Sequence, residues 1–160
     1  MKVLFSYHKN NLLSKVILEV TGQPVSHCAF LYKGTVYHSN FRGVSQMSLE
    51  EFESENKIVI ALSPTSEEIN EYMVEHLIND FNKLKGSYYD IPGLIYLGIQ
   101  LACKKYLGIT LSKKNLWQIS GMFVCTEFLS NVIFDTIDST ITPYDLAMKM
   151  INSGEWKKDD

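Results

Sequence analysis

A thiol becomes a nucleophile near neutral pH when a base takes its proton and the local field favours the thiolate. The chain offers candidates for both parts. His27 opens the stretch His27-Cys28-Ala29-Phe30, His38 sits in Val36-Tyr37-His38-Ser39-Asn40, and Cys125 stands in Val124-Cys125-Thr126-Glu127-Phe128. Imidazole can supply the base, and a helix N-terminus supplies part of the field. Cys125 follows Ser120-Gly121 and heads an apolar stripe of Phe128, Leu129, Val132 and Ile133 at helical spacing, which puts it in a first turn. Ser26, Tyr37 and Asn40 are the further candidates for lining a substrate cleft.

Whether the two histidines meet depends on one turn. Val25 to Tyr32 and Thr35 to Asn40 read as strands separated by Lys33-Gly34, a tight hairpin turn. With a two-residue turn, His27 lies opposite Asn40 and Ala29 opposite His38, so both histidines share one sheet face as diagonal neighbours. A three-residue loop reverses the parity and sends His38 to the other face. On the first register, either His38 or Asn40 can orient His27.

The remaining cysteines and His76 read as structural. Cys28 should point away from His27 along its strand, and Cys103 lies in an apolar helix. His76 falls among apolar residues of a long helix; His8 follows the first strand near a helix start, where it could line a cleft, with nothing to pair it. No Cys-x-x-Cys and no helical His-x-x-x-His is present, so no metal site is expected. Gly-x-Ser-x-Gly and glycine-rich phosphate loops are also absent. Thiol chemistry needs no cofactor, and none is expected.

Other elements must carry these residues. Val3 to Tyr7 is a first strand. Asn10 or Asn11 caps a helix with Leu12, Leu13, Val16, Ile17 and Val20 at helical spacing, stopped by Gly22 and Pro24. Lys57 to Leu62 is a further strand. Thr65-x-x-Glu68 forms a capping box for a long helix whose inner stripe is Ile69, Tyr72, Met73, His76, Leu77, Phe81 and Leu84. Pro92 starts a helix running to about Leu107, and Thr142-Pro143 opens a last one. Strands flanked by helices in this order predict an α+β domain with a mainly antiparallel sheet packed against helices.

Composition bounds the rest. With 160 residues, 46% of them hydrophobic, the chain can form one domain, expected over residues 1–155 with 156–160 as a short charged tail. A net charge of −3 with mixed signs leaves no footprint for nucleic acid. The apolar run at the N-terminus is too short for a secretory leader, and three cysteines do not make a disulfide framework. The expectation is a cytoplasmic, reducing location. The longest apolar run, Ile91 to Cys103, falls short of a membrane span but could touch lipid.

Four segments, in order, resemble the circularly permuted branch of NlpC-type papain-like cysteine hydrolases, which includes YiiX-like proteins and lecithin–retinol acyltransferase-like enzymes. They are Leu13-Ser14-Lys15-Val16-Ile17 with Ser26-His27-Cys28-Ala29-Phe30; Val36-Tyr37-His38-Ser39 with Gly43-Val44; Tyr88-Tyr89-Asp90 with Gly93-Leu94; and Val124 to Leu129 followed by Thr142-Pro143-Tyr144-Asp145-Leu146. The resemblance implies a permuted papain-like fold, with Cys125 as nucleophile, His27 as base and His38 orienting His27. The Cys125 segment departs from the Asn-Cys-Glu-His character of the acyltransferase-like members, so the YiiX-like side fits better. The expected activity is hydrolysis of an amide bond, in a peptide or peptidoglycan-type substrate. The alternatives are a lipid acyltransferase or phospholipase using the same Cys-His pair, and a non-catalytic binding module.

Overall fold

Lys33 and Gly34 both have positive φ, 48° and 79°. That backbone matches the twist of a two-residue hairpin, and glycine at the second position carries it without a Cβ penalty. The strands it joins, β2 (His27–Tyr32) and β3 (Thr35–Asn40), pair Phe30 with Tyr37, Leu31 with Val36 and Tyr32 with Thr35. This is the register of the two-residue turn, so the parity argument holds. In the computed structural model, the described residues are 1–111, 116–117, 119–136 and 140–159.

The described residues form an α+β domain with one six-stranded antiparallel sheet and six helices. The other strands are β1 (Lys2–His8), β4 (Gly43–Ser48), β5 (Asn56–Pro64) and β6 (Trp156–Lys158), and the order across the sheet is β4-β3-β2-β1-β5-β6. The helices are α1 (Leu12–Thr21), α2 (Leu49–Glu55), α3 (Glu67–Leu84), α4 (Ile91–Ala102), α5 (Cys125–Phe134) and α6 (Pro143–Asn152).

The main core lies between one sheet face and helices α3, α5 and α6. Phe5, Phe30, Leu62, Leu77, Phe128, Leu129, Leu146 and Met150 are fully buried there. Each such side chain contributes roughly 1.5–3 kcal/mol by leaving water. Phe128 meets Phe30 edge-to-face, with centroids 6.0 Å apart, which fixes α5 against β2. On the opposite face a smaller cluster gathers Leu4, Ala29, Val36 and Phe52 of α2.

Three expectations change. The tail at 156–160 is not a free end as far as it is described: Trp156–Lys158 pairs with β5, and Lys2 Nζ holds Asp159 at 2.6 Å. Alternating apolar and polar positions are too few in three residues to announce a strand. Asp160 lies outside the described residues. The cap of α3 is Ser66, whose hydroxyl accepts from Ile69 N–H, one residue beyond the expected box. Tyr72 is half exposed and stacks on His76 at 4.2 Å, so this pair lies on the outer edge of α3 rather than in its inner stripe.

Helix α1 is unusual for an amphipathic helix. Its apolar stripe does not enter the core; only Ser14 is buried, while Leu12 and Val16 are exposed. Asn11 caps it through Oδ1, and Gly22 closes it with φ 67°. α1 packs beside α4, and their facing apolar side chains enclose a cavity.

Candidate active site

Backbone stitching sets the head of α5. Phe123 N–H donates to Tyr88 O at 3.0 Å, and Ser39 Oγ donates to Phe123 O at 2.5 Å. Glu127, buried in the first turn, accepts the Val124 N–H at 2.9 Å. Residues 87–88 are in turn held against β4, where Val44 N–H donates to Ser87 O at 3.1 Å. Gly43 makes room for that approach: at φ 88° a Cβ would lie 1.9 Å from Ser87 O. Asp90 then caps α4 through Gly93 N–H at 2.9 Å and also accepts from Ile119 N–H at 3.2 Å.

These contacts place Cys125 on the N-terminus of α5, facing β2. It is 5% exposed. Cys28 and His27 are the neighbouring groups that act on its sulfur. The Cys28 hydrogen bond and then the charge of His27 hold the Cys125 thiol well below the usual thiol range, against the opposing effect of burial. Cys28 moves the other way: burial first, and then its bond to Cys125, push its pKa up. The two shifts oppose each other, so the negative charge of the pair falls on Cys125. Cys28 does sit in the main core, but it is also part of the site.

His27 Nε2 stands 3.1 Å from His38 Nδ1, and the rings meet edge-on with centroids 5.3 Å apart. This leaves His27 Nδ1 for the sulfur. Phe52 packs on both rings, at 6.1 Å and 5.8 Å, and limits their rotation. His38 is buried, and burial followed by the charge of His27 lowers its pKa to about 3. It is therefore neutral at ordinary pH, and with its proton on Nε2 it can accept a hydrogen bond at Nδ1 from His27 Nε2–H.

Asn40 extends the chain. Its Nδ2 lies 3.1 Å from His38 Nε2, while its Oδ1 accepts the Arg42 N–H at 2.8 Å. This amide orientation donates to His38 Nε2 and keeps the His38 proton on Nδ1. The reverse orientation puts that proton on Nε2 and frees Nδ1 to accept from an imidazolium at His27. The question of His38 or Asn40 resolves into a series: His38 touches His27, and Asn40 touches His38.

Ser26 lies between the strand and α1, with its Oγ 2.6 Å from Ser14 Oγ. Tyr37 is a correction. Alternation along β3 turns it to the face opposite His38, where it packs on Phe81 at 4.9 Å and lines none of the cavities around His27 and Cys125. His8, expected to be unpaired, has Glu55 Oε2 3.9 Å from Nε2 and accepts Asn10 N–H on Nδ1.

Tyr89 belongs to the site and was not among the expected cleft residues. It borders both the cavity lined by Cys125 and the one lined by His27, and its ring lies 5.1 Å from that of Phe41. Burial, and then the negative charge of Cys125, raise its phenol pKa. Its tandem Tyr88-Tyr89-Asp90 was visible in the sequence, but nothing there showed which tyrosine turns inward. Compared with known proteins, the chain matches no family model and no curated protein.

Proposed function

We propose that the protein is a cysteine hydrolase of the permuted papain-like type, with Cys125 as nucleophile, His27 as base and His38 as the residue that orients His27. The observation that carries this reading is the hydrogen-bonded series His27, His38, Asn40, whose first member lowers the pKa of the Cys125 thiol at the head of α5. The chain order supports the permuted class, because the histidine strands precede the cysteine helix and the sheet is antiparallel.

The thiolate attacks a carbonyl carbon. The oxyanion that forms can be met by backbone N–H groups in the first turn of α5, which have no partner within the helix. His27 passes its proton to the leaving group as the carbon–leaving-group bond breaks, and Cys125 keeps the acyl group as a thioester. Water, deprotonated by His27, releases the acid and restores the thiol. The bond proposed for cleavage is an amide, in a peptide or peptidoglycan-type substrate.

A second reading, a lipid acyltransferase or phospholipase, has its own support. Cys125 borders a cavity of about 350 Å³ that is almost wholly apolar, and Ile91, Ile95 and Ile99 of α4 are exposed near it. No helix of the described residues is long and apolar enough to cross a membrane. Incubation with a peptide-like amide and, separately, with phospholipid vesicles tests the choice. The proposed hydrolase gains an acyl mass on Cys125 from one of them, removed by hydroxylamine and absent in Cys125→Ser. A folded protein that gains neither adduct is a binding module.

A further inference from the structure

Catalysis by Cys125 and His27 needs one thiol, yet a second is buried against it. Two contacts bracket the pair. Phe30 of β2 meets Phe128 of α5, with ring centroids 6.0 Å apart. Ser26, just before β2, lines the same cavity as Cys125. Cys28 lies midway between Ser26 and Phe30 along the chain and, by the alternation of a strand, on the sheet face of Phe30. Cys125 lies one helical turn before Phe128, on the same side of α5. The two thiols therefore face each other across the contact of β2 with α5, and both belong to the main core. Burial and then Cys125 raise the Cys28 pKa, and Cys28 is the largest influence lowering that of Cys125, as neighbouring sulfurs require.

The two thiols differ in access. Cys125 lines the cavity between α1 and α4, which at about 350 Å³ has ample room for a molecule the size of hydrogen peroxide. Cys28 is wholly buried and lines neither that cavity nor the one beside His27. A small oxidant arriving through the cavity meets Cys125 first. The thiolate is also the form that hydroperoxides oxidise, to a sulfenic acid. Alone, a sulfenic acid goes on to sulfinic and sulfonic acids, which thiol reductants do not reverse. A second thiol against it diverts the sulfenic acid to a disulfide instead.

We infer that Cys125 and Cys28 form a site of reversible oxidation by hydroperoxides, in which Cys125 is oxidised and Cys28 resolves it to a disulfide. The Cys125 sulfur bonds one oxygen of the hydroperoxide as the O–O bond breaks. The departing oxygen takes the proton held by His27 and leaves as an alcohol or water. The Cys28 sulfur then attacks the Cys125 sulfenic sulfur; the S–O bond breaks, and the hydroxide leaves with the Cys28 proton as water. The two sulfurs have lost two electrons and the hydroperoxide has gained them.

The charges favour this order. Burial and the Cys125 charge together keep Cys28 protonated; once Cys125 is a neutral sulfenic acid, only burial opposes ionisation of Cys28. The disulfide takes the nucleophile out of action and shields it from irreversible oxidation, and a dithiol restores both thiols. The inference goes beyond hydrolysis: it needs a thiolate at Cys125 but no particular substrate. Cys103 is the internal control, since it follows α4, is half-buried and lines neither cavity.

The experiment treats the reduced full chain with a small molar excess of hydrogen peroxide, stops the reaction with catalase, and alkylates remaining thiols with iodoacetamide under denaturing conditions. Before alkylation the intact mass should have fallen by two hydrogens. Peptide mapping without reductant should show the Cys28 peptide joined to the Cys125 peptide, with Cys103 alkylated. Dithiothreitol should restore both thiols. In Cys28→Ser and Cys28→Ala, Cys125 should instead gain oxygen atoms that dithiothreitol does not remove. Cys103→Ser should behave as the wild type.

The wild-type mapping requires no variant to fold. A wild-type Cys125 that goes to sulfinic acid while Cys28 stays a thiol overturns the pair. So does a disulfide that joins either residue to Cys103, or a peroxide treatment that leaves all three thiols unchanged. The hydrolase reading is tested separately. A disulfide between Cys28 and Cys125 in a protein that takes no acyl group from any substrate supports the pair and sinks the hydrolase. A Cys125 that is acylated by substrate but never joins Cys28 does the reverse.

Discussion

His27 Nε2 and His38 Nδ1 lie 3.1 Å apart across a hairpin whose turn is only two residues long. An imidazolium at His27 needs an acceptor on that nitrogen. His38, which stays neutral, provides one when its own proton is on Nε2. Removing it leaves the base and thiol in place but lets the ring turn. In a working assay His38→Ala should lose about 10²-fold or more in kcat/KM, the scale of positioned acid–base groups. Full activity in a folded His38→Ala protein would remove His38 from the series.

Asn40 acts one step further out, through the His38 tautomer. Asn40→Ala should therefore lose less than His38→Ala. Asn40→Asp presents only acceptors, which fixes the His38 proton on Nε2 and frees Nδ1 for His27. It should keep more activity than Asn40→Ala, and its rate should hold to higher pH. A pH–rate profile of the two variants checks this. Identical profiles would mean that Asn40 does not act through His38.

The neutral state of His38 has a stability consequence. Its pKa falls from 6.5 to about 3 on folding. Between those values the unfolded chain binds the proton and the folded one does not, so acid favours unfolding. Stability should fall with pH through this window at up to about 1.4 kcal/mol per unit from this group. Urea titrations at several pH values should show a shallower acid slope in His38→Gln than in the wild type. Equal slopes would count against a buried neutral His38.

Cys28 should tune the nucleophile without being one. Cys28 is the largest influence lowering the Cys125 pKa, so Cys28→Ala should move the Cys125 alkylation midpoint to higher pH, while Cys28→Ser keeps a donor and should move it less. If both variants leave the midpoint unchanged, the thiolate is held by His27 alone.

Gly43 tests how the site is assembled from a distance. Gly43→Ala adds a Cβ against Ser87 O in a left-handed backbone position. It should cost about 1–3 kcal/mol of stability, and it should impair Cys125 reactivity because residues 87–88 hold the segment leading into α5. Normal stability together with normal reactivity would show that the approach of β4 to Ser87 is not what positions Tyr88.

Much of this site was legible because it is encoded locally. The Lys33-Gly34 turn fixes the hairpin register, and the register fixes which histidines share a face. Cys125 could be placed at a helix head from the stripe that follows it. The α+β class followed from the same alternation of elements. What could not be read depends on distant packing. β4 and α2 lie in Gly43 to Glu55, a polar stretch whose weak alternation gave no separate elements, yet α2 supplies the Phe52 that backs both histidines. The stripe of α1 reads as core in any helical plot; only the position of α4 shows that it lines a cavity. Tyr37 was misplaced for a simpler reason: it neighbours His38 in sequence, and a strand sends neighbours to opposite faces.

The central claim is that Cys125 is a thiolate paired with His27. The direct measurement is the pH dependence of iodoacetamide alkylation at each cysteine of the native protein, read by peptide mapping, in the wild type and in His27→Ala. The predicted result is that Cys125 reacts with a midpoint well below that of an ordinary thiol, ahead of Cys28 and Cys103, and that the midpoint rises in His27→Ala. The contradicting result is a Cys125 that reacts no faster near neutral pH than Cys103, or one whose midpoint is the same with and without His27.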